Sequence, residues 1–301
     1  MSLGYPLQYT DGPGYANSGS RVQRITDIRS ARRGGHLVVG KIVAEFGHEL
    51  MSIGPLRYYV RRKGFDKVTV CTRPGRDALY ADFATHFEPH DIQCESSMML
   101  GYEMVDGKQV NLPVERPVML RGDEWYQPRG YIGGRVEWKT YGVMDAKWVG
   151  VVVFHARKRK HVVARNWGIS KWTALADDLR SRGVAGRIVC VGSPDASQAV
   201  PGCEDARSLP LAQQMDVLHS ASYAVGPSSG PMHLAQHCNC PVVVWCGGGQ
   251  SERSETSGRY IKAWNVFGAP SHIEKYASWN PPVGNVVEWV TEFVRKLAEM
   301  D

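Results

Sequence analysis

The sequence predicts an α/β protein with two Rossmann-like, doubly wound parallel-sheet domains facing a cleft. Short apolar, β-branched runs alternate with helical segments along two stretches of the 301 residues. The runs of the second stretch are continuously apolar, as expected of strands buried on both faces. Between Asp91 and Lys147 the periodicity is lost and Gly, Pro, Trp and Tyr accumulate, which separates the two series.

The first series opens with "HLVVGKIV" (36–43) and continues through "ELMSIGPLRYYVRRKG" (49–64) as a helix. "KVTVCT" (67–72) follows as a strand and "GRDALYADFATHF" (75–87) as a helix. The second series starts with "VGVVVF" (149–154) and a basic loop, then a helix from an N-capping Ser170 to Gly183. "RIVCVG" is a strand, and "PLAQQMDVLHSA" is a helix with Leu211, Met215 and Leu218 on one face. "YAVG", "PMHLAQHC" and "PVVVWCGGG" read as strand, helix and strand, and "NVVEWVTEFVRKLAEM" as an amphipathic helix striped by Val287, Val290 and Phe293. The expected domains are an extension over 1–34, a first Rossmann-like domain over 35–135, a second over 148–282, and a C-terminal helix over 283–301. The crossing between domains is expected over 128–147.

Composition is that of a globular chain, 43% hydrophobic and 22% charged. No apolar run approaches the roughly 20 residues that span a bilayer. The polar, turn-rich N-terminus lacks the apolar core of a leader peptide, and a cytoplasmic location is expected. Of seven cysteines, Cys71, Cys190 and Cys246 fall in strand-like runs and read as small buried hydrophobes. A net charge of +6, with clusters at Arg29–Arg33, Arg61–Lys63 and Arg157–His161, favours an anionic partner: a nucleotide diphosphate, a phosphorylated glycan or nucleic acid.

The stretch "YAVGPSSGPMHLAQH" (223–237) poses the central question. Gly226-Pro227-Ser228-Ser229-Gly230 spells the G-x-S-x-G pattern of a hydrolase nucleophile elbow. Glu252 or Glu255 with His272 would satisfy the downstream order of acid and histidine. Pro227 fixes φ where that turn must be strained, however, and no HGGG-type oxyanion loop precedes it. The other reading is an anion cradle. Gly226 ends the strand, Ser228 or Ser229 caps the helix, Gly230 allows close approach and Pro231 takes a first-turn position, leaving N–H groups and the helix dipole to face an anion. His233 and His237, spaced i, i+4, also offer two zinc ligands but have no third, so no metal site is expected.

"SSGPMHLA" (228–235) with "CPVVVWCGGG" (240–249) resembles the signature region of the heptosyltransferase-like glycosyltransferases, D-S-G-x-x-H-x-A followed by a strand and a glycine-containing loop. "VVVFHARKRKHVVARNWGISKW" (151–172) is similar to that family's strand, basic loop and Arg/Lys-x-Trp helix start. "AEFGHELMSIGPLRYYVRRKG" (44–64) is similar to its early G-D-x-L-x-x-x-P-x-L-R segment. The resemblance covers about half the chain in three ordered blocks. It implies a GT-B glycosyltransferase, with acceptor on the first domain, nucleotide-diphosphate-sugar donor on the second, inversion at the anomeric carbon, and no metal or other cofactor.

Glycosyl transfer needs a base for the acceptor hydroxyl and positive charge for the departing diphosphate. On the resemblance, the diphosphate falls to Ser228, Ser229, Gly230, Pro231, Met232 and His233, with Arg157, Lys158 and Arg165 from the first loop. Gly247, Gly248, Gly249 and Gln250 form a loop that could close over sugar or nucleotide. The base is a choice among Glu45, His48 and Glu49, with Glu49 favoured; the bland alternative for Glu49 is a solvated glutamate at a helix N-terminus. His48 stands where the family has an Asp, and Ser228 stands where it has another. The expected acceptor is a glycan or lipopolysaccharide, the donor nucleotide being open between UDP and ADP. The alternatives are a glycosyltransferase of hydroxymethylated bases in viral DNA, a sugar-nucleotide epimerase, and a non-catalytic binding module.

Overall fold

In both units the β-branched runs form parallel strands, because each is flanked by a segment able to cross back as a helix. The computed structural model describes residues 35–39, 42, 46–91, 93–94, 101–105, 108–111, 124–126, 148–159, 163–247, 267 and 269–299. The chain divides into Met1–Glu137 and Trp138–Asp301. The expected crossing at 128–147 lies outside the described residues.

Unit 1 contains β1 (His36–Val39), α1 (Phe46–Lys63), β2 (Lys67–Thr72), β3 (His86–Pro89), β4 (Gln93–Cys94), β5 (Gly101–Val105), β6 (Lys108–Asn111) and β7 (Glu124–Tyr126). The order β3-β2-β1-β7 is parallel throughout, whereas β4-β5-β6 is a separate antiparallel sheet that the sequence reading did not expect. α1 begins three residues earlier than expected and buries Leu50, Ile53, Leu56 and Val60 along one face. The helix expected over 75–87 does not form. Only a 3-10 turn, Asp77–Leu79, precedes β3. Side-chain anchors explain this. Arg57 takes Asp82 through two bonds of 2.9 Å, and Thr85 Oγ1 accepts the Val68 amide at 2.8 Å, so the segment is drawn out alongside β2.

Unit 2 contains β8 (Trp148–Phe154), α2 (Ile169–Ser181), β9 (Arg187–Cys190), β10 (Glu204–Asp205), α3 (Leu211–Ser220), β11 (Ala221–Pro227), α4 (Gly230–His237), β12 (Val242–Cys246), β13 (Ser271–Lys275) and α5 (Val283–Ala298). The sheet order is β10-β9-β8-β11-β12-β13, parallel throughout, which in order of appearance is 3-2-1-4-5-6. β13 was not foreseen. α2 is capped by Gly168, not Ser170, its carbonyl accepting the Lys171 and Trp172 amides. The earlier start places Trp172 against Trp167, with ring centroids 5.0 Å apart.

The core of unit 2 joins β8, β9, β11 and β12 to α2 and α5. α5 contributes Val286, Val287, Val290 and Phe293, so the C-terminal helix is part of this unit's core. Cys71, Cys190 and Cys246 are buried and unbridged, as their setting in apolar runs implied. Truncation of Phe293 to alanine leaves a cavity between α5 and the sheet. It should cost about 3 to 5 kcal/mol in urea unfolding.

Candidate active site

The order of strands reverses between β8 and β11, so the loops leaving their carboxyl ends diverge and open a crevice. The loop after β8 carries His155 and Arg157; the loop after β11 carries Ser228, Ser229 and Gly230. The His155 amide donates to the Val225 carbonyl at 3.1 Å, which carries the pairing to the crevice edge. Gly226 lies against this rung. A Cβ there would sit 2.8 Å from Met232 Sδ and 3.2 Å from the His155 carbonyl, so only glycine lets the loop and α4 approach. Met232 is thus a packing residue, 1% exposed.

The helix entrance offers fewer donors than the motif implied. Pro231 has no N–H, and the Met232 and His233 amides already donate to the Ser229 carbonyl at 3.1 and 3.2 Å. The entrance is left with the Gly230 amide and with Ser229, the N-cap, whose side chain makes no capping bond. Ser229 Oγ is closed to solvent and has no hydrogen-bond partner among the described residues. Arg157, buried beneath the loop, directs Nη1 to the Ser228 carbonyl at 3.5 Å. Lys158 is exposed and binds Ala196 through its backbone at 2.8 Å.

Ser228 does not occupy a nucleophile elbow. It is buried, and its amide donates to the Trp245 carbonyl at 2.8 Å, continuing the pairing of β11 with β12. Its φ is not positive; among the described residues only Asn239 is a non-glycine with positive φ. His272, the partner a hydrolase would need, lies on β13 within 3.5 Å of Glu274 and stacks on Trp289. His233 and His237 are both buried, and the His237 ring packs edge-on to Phe267. No group of three or more metal-ligating side chains occurs among the described residues.

Arg165 reaches the same end of the sheet by a route the sequence did not suggest. Its guanidinium lies 4.4 Å from the centroid of the Trp279 ring. Trp279 covers Gly247 at the end of β12, where a Cβ would fall 2.2 Å from the indole. Gly247 is therefore required by close packing. The segment carrying Trp279 is stitched down at three points. Trp245 Nε1 donates to the Trp279 carbonyl at 3.3 Å, and Trp167 Nε1 and Lys171 Nζ donate to the Pro281 carbonyl at 2.8 and 3.0 Å. Gly248, Gly249 and Gln250 lie outside the described residues.

His155, also missed from sequence, is 3% exposed, and its Nδ1 lies 3.3 Å from the Val191 carbonyl. A carbonyl only accepts, so Nδ1 carries the proton. Burial, reinforced by Arg157 and Arg159, lowers its pKa from 6.5 to about 4, against the Val191 bond.

In unit 1, Glu49 is fully buried, not a solvated glutamate. Its carboxylate accepts from Thr72 Oγ1 and Tyr80 Oη, each at 2.7 Å, and pairs with Arg76. The Arg76 guanidinium also lies over the Phe46 ring. Burial, and then the Glu49 charge, hold the Tyr80 phenol protonated, well above its ordinary pKa. His48 lies in the first turn of α1, and Glu45 is outside the described residues.

Glu49→Ala should cost about 3 to 5 kcal/mol in chemical unfolding, because a paired charge and two buried hydroxyls lose their acceptor. Between pH 6.5 and about 4 the unfolded chain takes up a proton that folded His155 refuses, so stability falls as pH drops through that window. His155→Asn, which keeps a donor near Val191, should remove up to about 3 kcal/mol of this acid loss in unfolding measured against pH.

Residues 139–257 match the family model described as glycosyltransferase family 9 (heptosyltransferase). No curated protein matches the chain. Among solved structures, the chain is similar to the ADP-heptose lps heptosyltransferase II of E. coli. The two share 12% identity with a TM-score of 0.58, over 87% of this chain and 99% of that one. It is also similar to the family 9 glycosyl transferase from Veillonella parvula DSM 2008, at 10% identity and a TM-score of 0.49, over 87% and 97% of the two chains. The parallel sheets and the first of these likenesses give the chain the GT-B fold. The family match coincides with the motif blocks at 151–172 and 228–249, so the second unit carries a glycosyltransferase family 9 (heptosyltransferase) region.

Proposed function

We propose that this glycosyltransferase moves a sugar from an ADP-sugar to a hydroxyl of a lipopolysaccharide-type glycan, with inversion and without a metal. The observation that carries the reading is the crevice between β8 and β11, where Ser229 Oγ and the Gly230 end of α4 lie beside buried Arg157. Such an arrangement suits a diphosphate, whose charge grows as the glycosidic bond breaks. Arg165, stacked on Trp279 by the end of β12, supplies a second cation. The nucleotide and acceptor follow from the E. coli enzyme's description as an ADP-heptose lps heptosyltransferase.

In this reading the acceptor hydroxyl loses its proton as it attacks the anomeric carbon from the side opposite the diphosphate. His48 is the base. It occupies the place of the family's early Asp, while the neighbouring Glu49 has its oxygens engaged by Thr72, Tyr80 and Arg76. Glu49 then shapes the floor of the first unit and does not exchange protons.

Thermal-shift measurements across nucleotide diphosphates test the donor. ADP should raise the melting temperature more than UDP or GDP, and Arg165→Ala and Gly230→Val should abolish the shift while remaining folded. His48→Ala should lower kcat by about 10²-fold or more in transfer from ADP-heptose to a truncated lipopolysaccharide, with the ADP shift retained. An equal loss in a folded Glu49→Gln protein would return the base to Glu49. Sugar transfer to hydroxymethylated DNA in place of glycan would overturn the acceptor, and undiminished turnover in excess EDTA is expected.

A further inference from the structure

β9 ends inside the core of unit 2 at Cys190, which is 1% exposed. The chain then leaves through Gly192 and Ser197 and returns by a turn in which the Cys203 amide donates to the Val200 carbonyl at 3.0 Å. β10 lies parallel to β9 with Asp205 opposite Cys190, so this return lays Cys203 back against the end of β9. Cys203 packs on the same core as Cys190 but stays half-open to solvent, and each thiol shifts the protonation of the other. Arg180, in the last turn of α2, donates Nη2 to the Gly202 carbonyl at 2.7 Å, and the same nitrogen lies 3.8 Å from Cys203 Sγ.

The two sulfurs are unequal. The hydrogen bond from Cys190, helped by Arg180 and opposed by partial burial and Asp177, lowers the Cys203 thiol to about 7. That same bond, together with burial, pushes the Cys190 thiol well up. A half-exposed sulfur with thiolate character thus shares a core with a buried, protonated one. No third metal-ligating side chain joins them among the described residues.

We propose that Cys203 and Cys190 form an oxidisable pair, in which Cys203 is attacked first by a hydroperoxide and Cys190 resolves it into a disulfide. The Cys203 thiolate attacks one peroxide oxygen and the O–O bond breaks, giving a sulfenic acid and hydroxide. The Cys190 sulfur then displaces that oxygen from Cys203; an S–S bond forms, and the Cys190 proton leaves with the oxygen as water. Two thiols lose two electrons and the peroxide gains them. The bridge closes the loop from 190 to 203, which includes Ser197, the bridge partner of Arg157 beside the crevice. The inference does not depend on the identity of donor or acceptor.

Both cysteines fall in one tryptic peptide, Ile188–Arg207. After brief hydrogen peroxide treatment of the native full-length protein, denaturation and alkylation, that peptide should carry no alkyl group and be about 2 Da lighter than the dithiol. Dithiothreitol should restore two alkylation sites, and the oxidised protein should melt at a higher temperature than the reduced one. Cys203→Ser should abolish both effects, and Cys190→Ala should let a dimedone adduct accumulate at Cys203. Peroxide-treated wild-type protein that still alkylates at both positions, or that accumulates unbridged sulfenic acid, overturns the pair. Native-state alkylation needs no variant: Cys203 should react roughly tenfold or more faster than Cys246, and equal rates overturn its assignment as the attacked thiol.

Discussion

Right-handed crossovers force a parallel sheet that grows outward from β8 through β9 and β10 to return and resume on the other side at β11. The loops after β8 and β11 therefore turn away from each other, and the backbone between them has a gap that no strand fills. The rest of unit 2 is arranged around that gap. The rung from His155 to Val225 closes its base, Gly226 lets α4 rise from it, and Arg157 and Ser229 present polar atoms at its edge.

Aromatic packing holds the far wall. Trp167, Trp172 and Trp245 form one cluster with ring centroids 5.0 to 5.8 Å apart, two of the three contacts edge-to-face. Trp167 and Trp245 each also use the indole N–H to fasten the 279–281 segment. The cluster thereby fixes Trp279, over whose ring the Arg165 guanidinium lies. A guanidinium can share a flat face with an indole in a way that an ammonium cannot, which gives arginine a reason to stand at position 165.

In unit 1, the carboxylate of Glu49 draws in donors from three places: the end of β2 through Thr72, the following loop through Arg76, and the next turn through Tyr80. It sets the path of the chain after β2. An unaccompanied carboxylate at that depth would be expelled or protonated, so the four groups form a unit whose members cannot be exchanged singly.

Most strands of unit 2 and the amphipathic stripe of its last helix were legible in the sequence, since their apolar runs carry the period of the element they form. The glycines and serines around position 228 likewise announced a strand-to-helix turn. Position in the chain could not announce what that turn faces. Pro227 already counted against an elbow in G-x-S-x-G, and the backbone at Ser228, tied to Trp245, does not form one. The enclosure of Glu49, favoured from sequence as the base, was not legible because the three groups around it lie 23 to 31 residues downstream. The residues 75–87 looked helical because Asp82 and Thr85 gave no sign of the anchors awaiting them on α1 and β2. Sequence alone determined the alternation, the two-domain plan and the family blocks, all of which rest on local periodicity and spacing. Tertiary structure decided which polar groups are enclosed and which thiols share a core, because those depend on contacts between segments far apart along the chain.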